Sequence, residues 1–103
     1  MHPRDAEGFD WDEANSQELA VHGITESEAE QVFWNGAVWP KNKRLGSGDR
    51  KMIGYTDGGR ALTLIVLMKL RTRMVRVITG WSCTDGERTR YLGKFPLPED
   101  GER

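Results

Sequence analysis

The apolar positions of this chain follow two rhythms. Between residues 8 and 36 they recur every three or four positions; between 51 and 81 they alternate or run on without a break. "GFDWD" at 8–12 predicts a short first strand with Phe9 and Trp11 on one face. Asp12 then caps a helix through "EANSQELAVH", in which Trp11, Asn15, Leu19 and His22 share a face, and Gly23 ends it in the left-handed conformation glycine tolerates. "ITESEAEQVFWNG" predicts a second helix. Thr25 and Glu28 form its capping box, Ala29, Val32 and Phe33 its buried stripe, and Asn35-Gly36 its stop. The two helices are acidic on their solvent sides.

The second half reads as sheet. "AVWPKNKRLGSGDR" predicts a brief strand broken at Pro40 and followed by a basic loop. "KMIGYT" at 51–56 and "RALTLIVLMKL" at 60–70 flank the turn "DGG". The second of these is apolar on both faces, as a strand covered on both sides must be. After a turn at 71–73, "MVRVITGW" at 74–81 gives the last long strand, with Val75, Val77, Thr79 and Trp81 expected on the core face and Arg76 and Ile78 on the other. Thr84 and Glu87 form another capping box, opening a helix through Tyr91, and residues 93–103 read as an irregular tail. The expected order is β-α-α-β-β-β-β-α. This is a small α+β domain, with an antiparallel sheet carrying two short N-terminal helices on one face and a C-terminal helix. The 103 residues make one domain (1–103), with its core over about 8–92.

Composition narrows the chemistry. A single cysteine, Cys83, rules out an internal disulfide and fits a reducing compartment. The opening "MHPRDAEG" lacks the apolar stretch of a signal peptide, and "ALTLIVLM" is too short for a membrane helix, so a cytoplasmic location without membrane contact is expected. His2, His22 and Cys83 are too few and too scattered for a metal site, and "GSGDRK" is not a phosphate-binding loop; no cofactor is expected. Cys83 beside a helix cap reads as a packing residue.

The net charge of −1 conceals a division. Residues 1–40 hold nine acids and one base; residues 41–76 hold ten bases and two acids. Either the basic third meets an anion such as nucleic acid, or the acidic helices lie on the basic sheet and neutralise it. Arg60, Arg76 and Arg50 fall on neighbouring strands. Converging guanidiniums suit a phosphodiester, since each can hold two oxygens and stabilise transition-state charge; the alternative is an exposed face with long side chains lying across it. His22, at a helix end, either caps the last carbonyls or acts as acid or base.

In order, "FDWDEANSQELAVHGITESEAEQVF", "IGYTDGGRALTLIV" and "VRVITGWSCTDGERTRY" resemble the BrnT family of bacterial toxins. That family typically reads Phe-Glu-Trp-Asp, a helix, Lys-His-Gly-Val and a second helix ending Val-Phe. An Ile-Gly, turn, Gly-Arg, apolar strand follows, then Arg-Ile-Ile-Ser-Ala-Arg before a helix with Glu-Arg and a final Tyr. The resemblance covers about residues 8–92. It implies a RelE-like fold and a metal-independent ribonuclease toxin of a type II toxin–antitoxin pair. Its partner would be a BrnA-like antitoxin, its substrate RNA, and operator DNA would be met only through the antitoxin. His22, Arg60 and Arg76 stand at matching positions and are the implied catalytic residues; Arg50, Lys51 and Trp81 are the expected RNA contacts.

Two positions depart from the pattern. Val21 replaces the lysine before His-Gly, and Trp81 replaces the arginine that ends the last long strand. Losing one bidentate transition-state contact costs about 3 kcal/mol, roughly a hundredfold in rate. Trp81 has three open roles: core residue, stacking platform for single-stranded RNA, or anchor for a protein partner. A catalytically impaired scaffold that only binds protein or RNA is the alternative to an active toxin. An unrelated small α+β protein with a small-molecule role is a third.

Overall fold

A computed structural model describes residues 2–40, 49–69 and 71–93. The basic loop expected before residue 49 and most of the C-terminal tail lie outside these. A 3-10 turn at Pro3–Asp5 leads into strand β1 (Gly8–Phe9), then helices α1 (Glu13–Val21) and α2 (Glu26–Trp34). Strands β2 (Asp49–Tyr55), β3 (Ala61–Lys69) and β4 (Met74–Ser82) follow, and the short helix α3 (Asp85–Glu87) widens into a π-helical turn over Arg88–Leu92. The chain is an α+β domain, as its pattern predicts.

The local signals act where they were read. The Asp12 carboxylate accepts the Asn15 N–H and caps α1. Thr25 with Glu28, and Thr84 with Glu87, form both capping boxes. Gly23 sits at φ +72°, closing α1 with a left-handed backbone that residues bearing a β-carbon rarely adopt.

The sheet runs β1-β4-β3-β2 and is mixed, which corrects the expected all-antiparallel arrangement. β2, β3 and β4 form antiparallel hairpins, but β1 pairs with β4 in parallel. No tight turn joins β1 to β4; two helices and two strands intervene, so nothing local imposes the antiparallel sense. β1 is also short. After Asp10, whose N–H still reaches the Val75 carbonyl at 2.8 Å, the chain turns so that Asp12 can cap α1. The strand expected near 37–39 is a single bridge between Val38 and Ile53, ended by Pro40.

A β-bulge sets which side chains face which way. Pairing steps from Ile65 opposite Thr79 to Val66 opposite Val77, leaving Ile78 as the extra residue. Before the bulge Val75 and Val77 face the helices. After it the alternation is inverted, so Gly80 faces the helices and Trp81, opposite Thr63, faces away. The expectation that Thr79 and Trp81 continue the core face therefore fails at one inserted residue.

The helical face buries Leu62, Leu64, Val66, Val75, Val77 and Met52 beneath Leu19 of α1 and Ala29 and Val32 of α2. α1 lies along β4, and α2 along β2. A β-carbon on Gly80 would come 2.4 Å from Leu64 Cδ2 and 3.0 Å from the Thr63 carbonyl on the neighbouring strand, so glycine leaves Leu64 the space it fills, and Leu19 of α1 packs over the same spot. The second face buries Ile53, Thr63 and Ile65. α3 returns across it, with Glu87 reaching both Trp81 and Lys51. β3 is thus covered on both sides, which explains its unbroken apolar run.

Candidate active site

The Arg60 backbone is fixed by the β2–β3 turn. Its N–H donates to Thr56 Oγ1 at 3.0 Å and its carbonyl accepts the Thr56 N–H at 2.9 Å, Thr56 itself being buried. This aims the guanidinium at the helices. Nη1 donates to the Gly23 carbonyl at 2.7 Å and lies 3.2 Å from Glu28 Oε1; Nη2 donates to Ser82 Oγ at 3.1 Å. A guanidinium has five N–H groups. Among the described residues Arg60 Nε finds no partner, so a donor remains for an incoming oxyanion. The side chain is 35% exposed, open enough to meet one.

His22 is the C-cap of α1, directly before Gly23. Its Nε2 lies 3.3 Å from Glu18 Oε2, one helical turn earlier, and that same oxygen accepts a 2.7 Å bond from the Thr79 hydroxyl. The end of α1 thus gathers an imidazole, a guanidinium, two hydroxyls and two carboxylates from both helices, the β2–β3 turn and β4. This set can bind an oxyanion, orient it and move a proton beside it.

Arg76 is elsewhere. It pairs with Leu67 in the sheet and ion-pairs with Asp12 at the N-cap of α1, with Asp10 3.7 Å away; Lys69 joins the same Asp10 at 2.7 Å. Asp12 and His22 stand at opposite ends of α1, roughly 15 Å apart at the helical rise. The expected convergence of Arg60 and Arg76 on one sheet face is therefore not met. Arg60 turns to the helical face at one end of β4, and Arg76 leaves the opposite face from Val75 and Val77 at the other. What the two arginines share is α1, each fastening one of its ends.

The expected RNA contacts also divide. Lys51 and Trp81 lie together on the second face, both held by Glu87: Trp81 Nε1 donates at 3.0 Å and Lys51 Nζ lies 3.7 Å away. Trp81 is half-buried there, outside the main core. Arg50 is exposed on β2 opposite Val66. His2 is held below the usual imidazole range by burial first and then by the charges of Arg4 and Arg50. The Cys83 thiol, pushed up mainly by burial, has its Sγ 3.3 Å from Thr63 Oγ1 and is no activated nucleophile. Among the described residues no three His, Cys, Asp or Glu side chains come together as a metal site, and no helix is long and apolar enough to cross a membrane.

Four carboxyls lie below their ordinary range. Asp12 is lowered first by the Asn15 N–H and then by Arg76, Glu18 first by the Thr79 hydroxyl, and Glu28 first by the Thr25 N–H and then by Arg60. Burial alone pushes Glu87 upward, but the Thr84 N–H, the Trp81 indole and Lys51 bring it below the norm. A carboxyl whose folded value is depressed adds stability above its unfolded value, and that stability is lost as pH falls through the folded one. Unfolding free energy from urea titrations is therefore expected to hold steady from neutrality to about pH 5 and to decline below ~pH 4. Glu28→Gln and Asp12→Asn should flatten that decline.

Glu18, Glu28, Thr79 and Ser82 are cluster members not picked out from the sequence. Glu18 was within reach, since it precedes His22 by four residues on a helix. The two hydroxyls depend on where the bulge falls.

Among solved structures the chain is similar to the crystal structure of BrnT, a ribonuclease toxin of Brucella abortus. The TM-score is 0.57 and the sequence identity 21%, and the match covers 76% of this chain and 97% of that one. No family model matches the chain, and no curated protein matches it. The likeness shows that the chain has a BrnT-like fold.

Proposed function

We propose that this protein is a BrnT-like toxin, a metal-independent endoribonuclease neutralised by a BrnA-like antitoxin that alone contacts operator DNA. The observation that carries the reading is that Arg60 binds the carbonyl of Gly23, the residue directly after His22, at the end of α1, in a fold shared with a ribonuclease toxin. Arg60 holds the scissile phosphate through the donors its protein partners leave over and stabilises the charge of the pentavalent state. His22 takes the proton of the attacking 2′-hydroxyl, and the imidazolium then returns a proton to the departing 5′-oxygen. Arg76 holds a neighbouring phosphate of the same strand at the other end of α1, and Arg50 adds a peripheral contact. Lys51 and Trp81, on the second face and bound to Glu87, stand outside this reacting centre.

A second reading, a scaffold that binds without cleaving, is favoured by the carboxylate partners of all three implied catalytic residues: Glu28 on Arg60, Asp12 on Arg76 and Glu18 beside His22. Induced expression in a bacterial host separates the two. The toxin reading expects growth arrest with loss of cellular RNA, relieved by His22→Ala at equal protein level. Unimpaired growth with abundant folded protein would favour the scaffold.

A further inference from the structure

Away from the His22–Arg60 cluster, the C-terminal end of α2 carries an aromatic surface with no part in the proposed chemistry. Trp34 ends α2 with 61% of its surface exposed. Its ring meets Phe33 edge to face, with centroids 4.7 Å apart, and Phe33 meets Trp39 in the same way at 6.2 Å. Phe33, Trp39 and Ala37 line a hollow of about 340 Å³ whose rim includes Asp5 and Arg4. A second hollow of about 280 Å³, lined by Val38, Tyr55 and Leu92, opens on the other side of Gly36. Two cavities thus flank one turn beside an exposed indole.

The charge around them is mainly acidic, with Arg4 beside Asp5 at the first hollow as the exception. Of the ionised side chains in residues 1–40, nine are acidic and Arg4 alone is basic. Asp5 borders the first hollow, Glu30 lies one helical turn before Trp34, and Asp57 accepts a 2.9 Å bond from Asn35 at the end of α2. Among the described residues neither Asp5 nor Glu30 forms an ion pair, Glu30 accepting only the Trp11 indole N–H at 2.7 Å.

We propose that this end of α2, centred on Trp34, is a docking surface for a basic amphipathic segment of a partner protein. Apolar side chains of that segment enter the hollows on either side of Gly36, and its lysines or arginines meet Asp5, Glu30 and Asp57. A large, rigid aromatic side chain beside hollows partly lined by apolar groups is the kind of group that carries binding energy at interfaces. The surrounding acids select the sign of the partner and speed its approach. They also argue against nucleic acid, whose phosphates they would repel, and against a second copy, which would set like charge against like. The proposal stands apart from the ribonuclease reading, since a chain that cleaves nothing would still dock this segment.

The test uses the full chain and two synthetic helical peptides, one of leucine and lysine and one of leucine and glutamate. Binding is followed by calorimetry and by the indole N–H signals of the four tryptophans, assigned by substitution. The leucine–lysine peptide is expected to bind, to move the signals of Trp34 and Trp39 and to leave that of Trp81 in place. Trp34→Ala should weaken binding about tenfold or more. The exposure of Trp34 makes that variant safe for folding, and Asp5→Lys gives an independent electrostatic check. Unchanged affinity in Trp34→Ala, equal binding of the leucine–glutamate peptide, or movement confined to Trp81 would overturn the proposal. So would a Trp34-dependent dimer in sedimentation, or displacement of the peptide from Trp34 by single-stranded RNA, since either would give the surface to another occupant.

Discussion

Arg60→Ala is expected to lower the rate of RNA cleavage by roughly a hundredfold or more, the usual cost of removing one preorganised donor from a charged transition state. The same change removes the 2.7 Å bond to the Gly23 carbonyl and the ion pair with Glu28, so structural loss has to be told apart from catalytic loss. Magnitudes separate them. The Arg60 and Glu28 side chains are 35% and 27% exposed, and a pair so open to solvent contributes about 0–1 kcal/mol. Arg60→Ala should therefore stay folded at ambient temperature, with a slightly lower urea midpoint, while its single-turnover rate collapses. Arg60→Lys keeps the charge but not the planar fork and should recover only part of the rate. Equal rates for wild type and a folded Arg60→Ala would remove Arg60 from the chemistry.

The second large effect is on stability. Leu19→Ala should cost about 3 kcal/mol, within the 2–5 kcal/mol span of such deletions at fully buried sites. Leu19 is 0% exposed and packs over Gly80 of β4, 3.4 Å from the position a Gly80 β-carbon would take. The cavity would open between α1 and β4, against Leu64, where backbone on both sides limits collapse. Domains of this kind are stable by about 5–15 kcal/mol, so the change removes a large fraction of the whole. Leu19→Met, close in volume, should cost under about 1.5 kcal/mol. Urea titration with a common slope decides the matter. A loss below about 1 kcal/mol for Leu19→Ala would mean that α1 is not docked at Gly80, since a filled buried site cannot be emptied that cheaply.

What the sequence made legible divides by range of interaction. Asp12, Thr25 with Glu28, Thr84 with Glu87, and Gly23 act within three or four residues of themselves, and each does what its spacing predicts. The two-sided burial of β3 was legible because both rows of its side chains are apolar. The parallel entry of β1 was not, because strand direction across a long connection leaves no local mark. Least visible was the extra residue at Ile78. A bulge is a property of the pair, and the one-residue slip carried Trp81 to the second face. Of the roles open to Trp81, membership of the main core is excluded; it rests half-buried with its indole on Glu87. The separation of Arg60 from Arg76 has a similar origin. Neighbouring strands do not make neighbouring residues: Arg60 precedes the first residue of β3, whereas Arg76 pairs with Leu67, roughly 23 Å farther along at the strand rise. The resemblance of the motifs pointed to the fold that the structural comparison bears out.

The most direct test of ribonuclease action at the end of α1 is to incubate the partner-free protein with single-stranded RNA in EDTA and sequence the ends of the products. The proposed chemistry predicts fragments ending in 2′,3′-cyclic phosphate, none from a strand of the same sequence lacking the 2′-hydroxyls, and none from the folded Arg60→Ala protein. RNA left intact by a folded, partner-free wild-type chain would contradict it.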